Sequence, residues 1–408
     1  MFSLKPYRVL EIGTAVSMPL CASVLANLGA EVIKIESRKK LDGNRVRVPR
    51  KDAPTHIDQI ETFTLFHDLN GGKKSVTLNL KTPEGKALFL GLIRVSDVFI
   101  QNFAPGWLDR LGLSSATLAE ANPRLIQVYA SGYGQTGPMN GVRVYATIMS
   151  GIGGMEGLVG YPDGDVTGLS ATAFGDPNSG QFGVLGVLSA LYARERTGRG
   201  CLIDLSQIES IVTVLGEAVI DLQVTGRVPG PTGNESKWVA PHGIYRCAGS
   251  DRWVALSVPD QSEWQALCAV LREDGQAWAD APRFATPPER LAHARELDGL
   301  ISGWTAGQAD GALAERLQAR GIRCTPVLPI EEVETDPHMQ ARGFMQQAVH
   351  PVLGSMPITS TPWKHDGTQP PIRGAGPMIG SANKEVYCGL LGLSEEQLAD
   401  YAAREVLA

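Results

Sequence analysis

The sequence has few of the features that mark a secreted, membrane-spanning or metal-binding protein. Its six cysteines form no C-x-x-C pair and are widely spaced, at positions 21, 201, 247, 268, 324 and 388. This spacing indicates neither a zinc site nor a disulfide framework. No window holds eighteen uninterrupted apolar residues, and the N-terminal MFSLKPYRVLEIG lacks the basic start and cleavage site of a secretory signal. We therefore expect a cytoplasmic protein with reduced cysteines, no membrane span and no metal.

An excess of positive charge is also missing. The chain has 37 Lys and Arg against 43 Asp and Glu, a net charge of −6, which argues against a general nucleic-acid binder. This balance still permits a local basic pocket for a phosphorylated small molecule. The 408 residues are 43% hydrophobic and 20% charged, as in ordinary globular proteins, and are enough for more than one domain.

The first third of the chain alternates short apolar runs with helical segments. YRVLEIG, MPLCASVLANLGA and EVIKIE predict a strand, a helix and a strand, with Pro19 in the first helical turn and Gly29 at the helix end. SVTLNL, DVFIQNF and LIQVYASGYG predict further strands, separated by helical segments. The pattern predicts an α/β fold with a parallel sheet. The glycines do not spell G-x-G-x-x-G, which argues against a dinucleotide site.

The pattern changes after a linker rich in Pro and Gly, RVPGPTGNESKWVAPHG. GIYRCAGSDRWVALSV predicts a β-hairpin, and helical segments follow it. We therefore expect a large α/β domain over residues 1–222 and a smaller α+β domain with its linkers over 223–325. Residues 326–408 are expected to return to the large domain.

The stretch AFGDPNSGQFG, residues 173–183, contains the candidate reactive group. Asp176 precedes Pro177 and a long apolar helix, which is typical of a helix cap. A carboxylate at a helix N-terminus is also kept ionised, and it can attack an activated acyl group to give a covalent intermediate. The nearby Gly175, Gly180 and Gly183 would let a bulky substrate approach. The residues by themselves leave both roles open.

Six stretches together resemble the class III coenzyme A transferases, the family that includes formyl-CoA transferase and carnitine CoA-transferase. They extend over nearly the whole chain: RVLEIGTAVSMPLCASVLANLGAEVIKIE, NGGKKSVTLNLKTPEGKALF, DVFIQNFAPGWLDRLGL, NPRLIQVYASGYGQTGP, GDPNSG and RERTGRGCLIDLSQIES. The resemblance implies that Asp176 is the acyl-accepting nucleophile, with capping as a second role. It also implies a Rossmann-like large domain built from both chain ends. The expected assembly is an interlocked dimer, either of identical chains or with a paralogous subunit.

The implied reaction moves coenzyme A from an acyl-CoA, with succinyl-CoA expected, to a free carboxylic acid. Asp176 would attack the thioester and pass through aspartyl anhydride and aspartyl-CoA thioester intermediates. Coenzyme A is a substrate here, and no other cofactor or metal is required. Two alternatives stay open: a 2-methylacyl-CoA racemase or intramolecular CoA transferase of the same family, and a non-catalytic partner subunit.

The phosphates of coenzyme A require Lys, Arg or helix-terminal amides. Arg38, in ESRKK, follows the second predicted strand, where α/β sheets bind ligands. The resemblance adds further coenzyme A positions: Lys73, Lys74, Asn102, Phe103, Arg110 and Arg143. A solvated charge run, turn lysines, a strand-end Asn and a core Phe are the structural alternatives.

Departures from the family pattern concern the acid substrate. Formyl-CoA transferase has Gln and Trp where this chain has Val16 and Arg47, and SKWV replaces its mobile glycine run, so formate and oxalate are not expected substrates. A guanidinium binds a carboxylate bidentately, so Arg47 predicts an acceptor of the succinate type, with succinate–benzylsuccinate exchange as an example. A surface-loop position for Arg47 is the alternative.

Two further residues were assigned to the acid site. The racemase branch has a histidine where this chain has Tyr145, which favours the transferase. His242, in APHGIY, is a candidate acid–base group or a residue that orders its loop. The role of Glu11, at the end of the first predicted strand, stays undecided between structure and site.

Overall fold

The computed structural model of the chain describes residues 4–46, 59–162, 165–169 and 173–408. The chain forms two compact units. The larger comprises residues 1–156, 169–227 and 337–408, and the smaller comprises residues 157–168 and 228–336.

The segment 157–168 belongs to the smaller unit, although the predicted boundaries place it in the larger domain. Gly160 and Val166 form an antiparallel bridge within this segment. The Gly160 carbonyl also accepts a hydrogen bond from the Gly233 amide, at 2.9 Å. The bond from Gly233 joins 157–168 to the start of the 228–336 segment within the smaller unit, and the sequence pattern gave no sign of it.

The strands of the described chain are β1 (Arg8–Ile12), β2 (Glu31–Glu36), β3 (Lys74–Thr77), β4 (Val98–Gln101), β5 (Ile126–Ser131), β6 (Leu202–Ser206), β7 (His242–Arg246), β8 (Trp253–Ser257), β9 (Arg323–Pro326), β10 (Met345–His350) and β11 (Gly354–Thr359). The first six form a parallel sheet in the order β3–β2–β1–β4–β5–β6. The next three form an antiparallel sheet in the smaller unit, and the last two form a hairpin.

The helices are α1 (Ser17–Asn27), α2 (Thr64–Asn70), α3 (Pro83–Arg94), α4 (Ser115–Ala121), α5 (Ala146–Ile152), α6 (Gly175–Thr197), α7 (Gln207–Val212), α8 (Gly216–Thr225), α9 (Gln261–Glu273), α10 (Pro287–Ala292), α11 (Ala294–Thr305), α12 (Asp310–Gln318), α13 (Ile330–Val333), α14 (Pro337–Arg342) and α15 (Glu395–Ala403). Within the described ranges, no helix is long and apolar enough to cross a membrane.

Both faces of the parallel sheet are buried. On β1, Leu10 packs in a core with α3 and α4, whereas Val9 packs in a second core with α1 and α6. Successive side chains of a strand point to opposite faces, so a strand covered on both faces is a continuous apolar run in sequence. The α/β fold with a parallel sheet, predicted from these runs, is confirmed.

The chain changes direction along the sheet between β1 and β4. β2 and β3 lie on one side of β1, and β4, β5 and β6 lie on the other. In such sheets the loops that leave the two central strands diverge and open a crevice at the carboxyl ends of the strands. These loops begin at Gly13 and at Asn102. We call this side of the sheet the carboxyl edge, and a binding site is expected there.

The local predictions succeed for α1 and fail after β6. Pro19 lies in the first turn of α1, and Gly29 follows its end with a φ of 114°. The single long helix predicted after CLIDLS is wrong, because α7 ends at Val212 and three residues separate it from α8, which begins at Gly216. The Thr213 hydroxyl donates to the Ser210 carbonyl at 2.6 Å, within a tighter 3₁₀ turn. Such local side-chain bonds compete with regular helix.

Candidate active site

Asp176 lies in the first turn of α6. The helix begins at Gly175, and the preceding Phe174 provides no side-chain cap. The predicted cap role of Asp176 is therefore wrong, because the residue is inside the helix rather than before it. A first-turn carboxylate still gains from the helix dipole. The side chain is half-buried, and its Oδ1 accepts a hydrogen bond from Gln207 Nε2 at 3.4 Å.

The residues after Asp176 fasten the start of α6 to α7. Asn178 Nδ2 donates to the Ser210 carbonyl at 2.6 Å. The Ser179 and Ser210 hydroxyl oxygens lie 2.8 Å apart, and Ser179 also donates to the Gly175 carbonyl. The stretch D-P-N-S-G therefore presents the carboxylate and holds its helix turn in place.

The glycines of this stretch serve helix packing. A Cβ on Gly180 would lie 2.8 Å from the Ser17 carbonyl oxygen, and one on Gly183 would lie 3.0 Å from the Cys21 sulfur. A Cβ on Gly175 would lie 2.8 Å from Ile211 Cδ1. The predicted role of these glycines in admitting substrate is therefore wrong, since protein atoms fill the space beside them.

The same contacts place Asp176 at the carboxyl edge. Because Gly180 meets Ser17 and Gly183 meets Cys21, α6 and α1 run side by side in the same direction. One turn before Gly180, Asp176 lies at the level of residues 13–16, the loop between β1 and α1. This loop carries half-buried Val16, the residue predicted to shape the acid site.

Two neighbouring segments hold the 13–16 loop. Asn102, which follows β4, accepts from the Thr14 amide at 2.9 Å and donates to the Thr14 carbonyl at 2.8 Å. Asp42 accepts from the Ala15 amide at 3.1 Å, and Asn44 donates to the Ala15 carbonyl at 2.6 Å. These bonds fix Ala15 in the left-handed region, with a φ of 61°. The side chain of Asn102, predicted to contact coenzyme A, is thus engaged in holding the loop.

Beneath the loop lies a group of fully paired charges that we call the interior charge cluster: Glu11, Lys34, Asp42 and Lys73. Lys34 Nζ lies 3.1 Å from Glu11 and 3.3 Å from Asp42, and donates to the Gly13 carbonyl at 2.7 Å. Lys73 Nζ lies 2.7 Å from Glu11. The side chains of Glu11, Lys34 and Lys73 have no exposed surface. Glu11 is therefore a structural residue in this fold, which resolves its undecided role.

The two buried lysines differ in charge environment. Burial lowers the pKa of Lys73 to about 8. The attraction of Glu11 opposes this shift, and the repulsion of Lys34 adds to it. Burial also opposes the charge of Lys34, but Glu11 and Asp42 together raise its pKa above the usual value. Burial disfavours ionised Asp42 as well, yet Lys34 and the backbone amides of Asn44 and Ala15 lower its pKa overall. A lysine with two carboxylate partners thus keeps its proton more firmly than a lysine with one.

The structure does not bring Lys73 and Lys74 to the carboxyl edge. Lys73 donates to Glu11, to the Pro19 carbonyl and to Asn70 Oδ1, so all three ammonium protons have protein acceptors. Lys74 is the first residue of β3, at the opposite end of the strand, and pairs with Glu31 and Glu385 at 2.6 Å each. Exposed Lys81 follows the carboxyl end of β3, and sequence reasoning missed it.

Three other predicted coenzyme A residues do lie past the carboxyl ends of strands. Exposed Arg38 follows β2 and donates to the Ile379 carbonyl at 3.0 Å. Phe103 follows β4, and its ring stacks on Trp107 with centroids 4.3 Å apart. Exposed Arg110 follows on the same loop. The crevice edge thus presents two cations and an aromatic pair, which are groups suited to phosphates and to a nucleotide base.

The remaining predicted residues are spread over other parts of the chain. Exposed Arg143 and Tyr145 precede α5, whose Met149 Cε would lie 3.8 Å from a Cβ on Gly175, so this segment borders the start of α6. His242 belongs to the smaller unit, where its Nδ1 lies 3.0 Å from Ser257 Oγ in the wall of a cavity of about 570 Å³. Arg47 lies outside the described residues.

Comparison with known proteins decides the family. Residues 4–383 match the family model described as CoA-transferase family III. The chain belongs to this family. The CoA-transferase is 33% identical to succinyl-CoA–D-citramalate CoA-transferase of Chloroflexus aurantiacus, over 99% of this chain and 98% of the relative. It is 32% identical to the succinyl-CoA–L-malate CoA-transferase beta subunit of the same organism, over 98% and 97% of the two chains.

Solved structures agree with this assignment. A CAIB/BAIF family protein from Brucella suis superposes with a TM-score of 0.86 and 28% identity, over 95% of this chain and 99% of the other. A formyl-CoA:oxalate CoA-transferase of Streptomyces avermitilis is 31% identical over 97% of both chains. The protein is therefore an enzyme that transfers coenzyme A, as the sequence resemblance predicts.

The chemistry available to the CoA-transferase is that of acids, amides and basic side chains. Among the described residues, no group of three or more His, Cys, Asp or Glu side chains is placed to hold a metal ion. The half-buried carboxylate of Asp176 and the buried amide of Gln207 meet at the crevice. Sequence reasoning missed Gln207, whose only signal was an amide side chain directly after the strand LIDLS.

Proposed function

We propose that the enzyme transfers coenzyme A from succinyl-CoA to a short dicarboxylic acid. The observation that carries this proposal is the pair of relatives that align over nearly the full chain and are named for succinyl-CoA with D-citramalate and L-malate. Both of those acceptors are 2-hydroxybutanedioates, which are substituted dicarboxylates of the succinate type. The prediction of a succinate-type acceptor, made from Arg47, is of the same chemical class.

Asp176 is the proposed nucleophile. Its carboxylate attacks the thioester carbonyl of succinyl-CoA, which gives a mixed aspartyl anhydride and releases the CoA thiolate. The thiolate attacks the aspartyl carbonyl of the anhydride, succinate leaves as its carboxylate, and an aspartyl-CoA thioester remains. The acceptor carboxylate then forms a second anhydride, from which CoA takes the new acyl group and Asp176 is regenerated. The overall reaction exchanges one CoA thioester for another of similar energy, so the proposed mechanism needs no other cofactor.

The position of Asp176 supports this role. The carboxylate lies at the first turn of a long helix, where the dipole favours its ionised form. It lies at the level of the 13–16 loop, on the edge of the sheet where exposed Arg38, Lys81 and Arg110 follow their strands. A coenzyme A molecule bound by these cations in a Rossmann-like crevice would have its thioester end near Asp176.

We also propose that two chains interlock as a dimer. In α8, which is fully described, no residue is buried, although the helix contains Val219, Ile220 and Val224. These three side chains are 44%, 60% and 79% exposed. Apolar surface of this extent requires a partner. A second copy of this chain would cover it. A paralogous subunit could do so instead, since the name of the malate relative, a beta subunit, implies such a partner for that enzyme.

The test is a transfer assay with the purified protein and succinyl-CoA. The acceptors are L-malate, D-citramalate, benzylsuccinate, oxalate and formate, with acetate as the monocarboxylic control. Formation of malyl-CoA or citramalyl-CoA supports the proposal. Transfer only to oxalate or formate contradicts the acceptor class, and epimerisation of a 2-methylacyl-CoA without transfer indicates the racemase. Activity that requires an added paralogous chain indicates a heteromer.

A further inference from the structure

A side-chain amide faces the carboxylate of Asp176 from a fixed position. Gln207 is the first residue of α7, directly after β6, and is 7% exposed. Its Nε2 lies 3.4 Å from Asp176 Oδ1. Hydrogen bonds of catalytic groups are often long in the absence of substrate and shorten as the reaction proceeds.

The amide has little freedom to move away. The Ser210 hydroxyl donates to the Gln207 carbonyl at 2.7 Å, which holds the first turn of α7. Asn178 and Ser179 attach the same turn to α6, as described above. Asp176 and Gln207 thus belong to two helix starts that are tied to each other, and the N–H group is preorganised toward Oδ1.

We propose that Gln207 is a catalytic residue that stabilises negative charge on the carbonyl oxygen of acylated Asp176. The inference rests on the proposed role of Asp176 as the nucleophile. With Oδ1 bound by the amide, Oδ2 is the oxygen that attacks the thioester. In the resulting anhydride, Oδ2 bridges the two acyl groups and Oδ1 is the carbonyl oxygen of the aspartyl half.

The amide then acts in the next step. The CoA thiolate attacks Asp176 Cγ, a sulfur–carbon bond forms, and the carbonyl electron pair moves onto Oδ1. The N–H of Gln207 donates to this oxyanion. The intermediate collapses when the Cγ–Oδ2 bond breaks, so the donor acid leaves as a carboxylate that carries Oδ2 and the electron pair. No proton is gained or lost overall.

This arrangement also directs the thiolate. An anhydride has two carbonyl carbons, and attack at the donor carbon only regenerates succinyl-CoA. The Gln207 N–H, which points at Oδ1, lowers the barrier to thiolate attack at Cγ and not the barrier to attack at the succinyl carbonyl carbon. Gln207 therefore biases the anhydride toward the productive aspartyl-CoA thioester.

The main variant is Gln207→Met, which keeps the length of the side chain and removes the N–H group. We expect kcat to fall about a hundredfold, as for the loss of one oxyanion donor, while KM for succinyl-CoA changes less than about threefold. In quenched reactions of Gln207→Met, mass spectrometry should find less CoA adduct on the peptide that contains Asp176 than in quenched reactions of the wild type. Glu209→Gln is the matched control, since it changes an exposed side chain in the same first turn of α7 and should retain wild-type transfer.

Gln207→Glu gives a second, independent readout. An ionised Glu beside Asp176 opposes the oxyanion, whereas a protonated Glu can donate to it. When two carboxylates are neighbours, the pKa of one of them is raised, so the pair holds a shared proton at a higher pH than a single carboxylate would. Transfer by this variant should therefore increase as the pH falls from about 8 to about 6, relative to the wild type. A purely structural role for Gln207 would not produce this profile.

The outcomes separate the two proposals. Absence of a CoA adduct on Asp176 in the wild-type enzyme would overturn the nucleophile itself. A wild-type adduct together with normal kcat in Gln207→Met would overturn the role of Gln207 alone. The proposed role of Gln207 is also overturned if Gln207→Met does not fold and Gln207→Glu follows the wild-type pH profile.

Discussion

Two carboxylates near the carboxyl edge of the sheet have opposite surroundings. Glu11 has no exposed side-chain surface and pairs with two buried lysines at 3.1 and 2.7 Å. Asp176 is half-buried, and the neutral amide of Gln207 is one of its partners, at 3.4 Å. A carboxylate bonded to two ammonium groups is a poor nucleophile, because its lone pairs are engaged. The comparison supports a structural role for the interior charge cluster and agrees with the proposed role of Asp176 as the reactive group.

The strongest test of this comparison is Asp176→Ala. We expect transfer to fall by roughly a thousandfold or more, because the acyl acceptor is lost. The melting temperature should change little, since Asp176 is not the helix cap and the links from Asn178 and Ser179 remain. Glu209→Gln, at an exposed acid in the first turn of α7, is the control that should keep activity. A folded Asp176 variant with more than about a hundredth of wild-type transfer would contradict the assignment.

Glu11→Gln should have the opposite profile. Loss of the shared carboxylate leaves Lys73 without its counter-charge in the interior and leaves Lys34 with Asp42 alone, and we expect the free energy of unfolding to fall by about 3 kcal/mol. Glu31→Gln removes a partly exposed partner of Arg8 and Lys74 and should cost less than about 1 kcal/mol. Urea denaturation of both variants measures the difference. Equal costs would mean that the interior charge cluster is no more critical than a surface pair.

The interior also predicts a pH dependence. Burial, together with the positive charges of His67 and Arg45, lowers the pKa of His350 to about 4. The unfolded chain therefore takes up a proton near pH 6.5 that the folded chain resists, so stability falls as the pH drops from 6.5 to 4. We expect a loss of about 2 kcal/mol after allowance for solvent screening. His350→Asn keeps an acceptor for the Val352 and Leu353 amides but does not titrate, and should flatten the slope of unfolding free energy against pH.

The smallest expected effect concerns the rim of the crevice. Arg110→Ala and Lys81→Ala should each raise KM for succinyl-CoA several-fold and leave kcat unchanged, because contacts with a remote nucleotide act in the ground and transition states alike. Added salt should raise the wild-type KM. Lys74→Ala is the matched control at the other end of β3 and should leave KM unchanged. An equal increase in all three variants would show that strand direction does not locate the nucleotide.

The sequence predicted the elements of the fold better than the contacts of the site. Continuous apolar runs such as YRVLEI identify buried parallel strands, because the signal is local to the strand. The interior charge cluster was not predictable, since Glu11 meets Lys73 across 62 residues of sequence. Lys73 and Lys74 are adjacent in sequence, yet Lys73 is buried and Lys74 is partly exposed at the amino end of β3. A pattern of charges cannot distinguish these positions without the direction of β3.

The candidate nucleophile was predicted from its motif, and its neighbours were not. The motif glycines fit helix packing because Gly180 meets Ser17, a contact over more than 160 residues. Gln207 lies 31 residues beyond Asp176 and follows a different strand. Its role depends on the parallel placement of two helix starts, which no local pattern in the sequence records.

The length of α6 has a mechanical consequence. Its 23 residues form a rod of roughly 35 Å, fastened at its first turn to α7 and near its end by Arg194, which bonds to Asp97 and to the Arg124 carbonyl. A helix held near both ends cannot tilt or slide without breaking these partly buried hydrogen bonds. The proposed nucleophile, Asp176, is therefore held in one place, and in the proposed mechanism the substrates and the bordering loops would move to bring thiolate, donor acid and acceptor acid to it in turn.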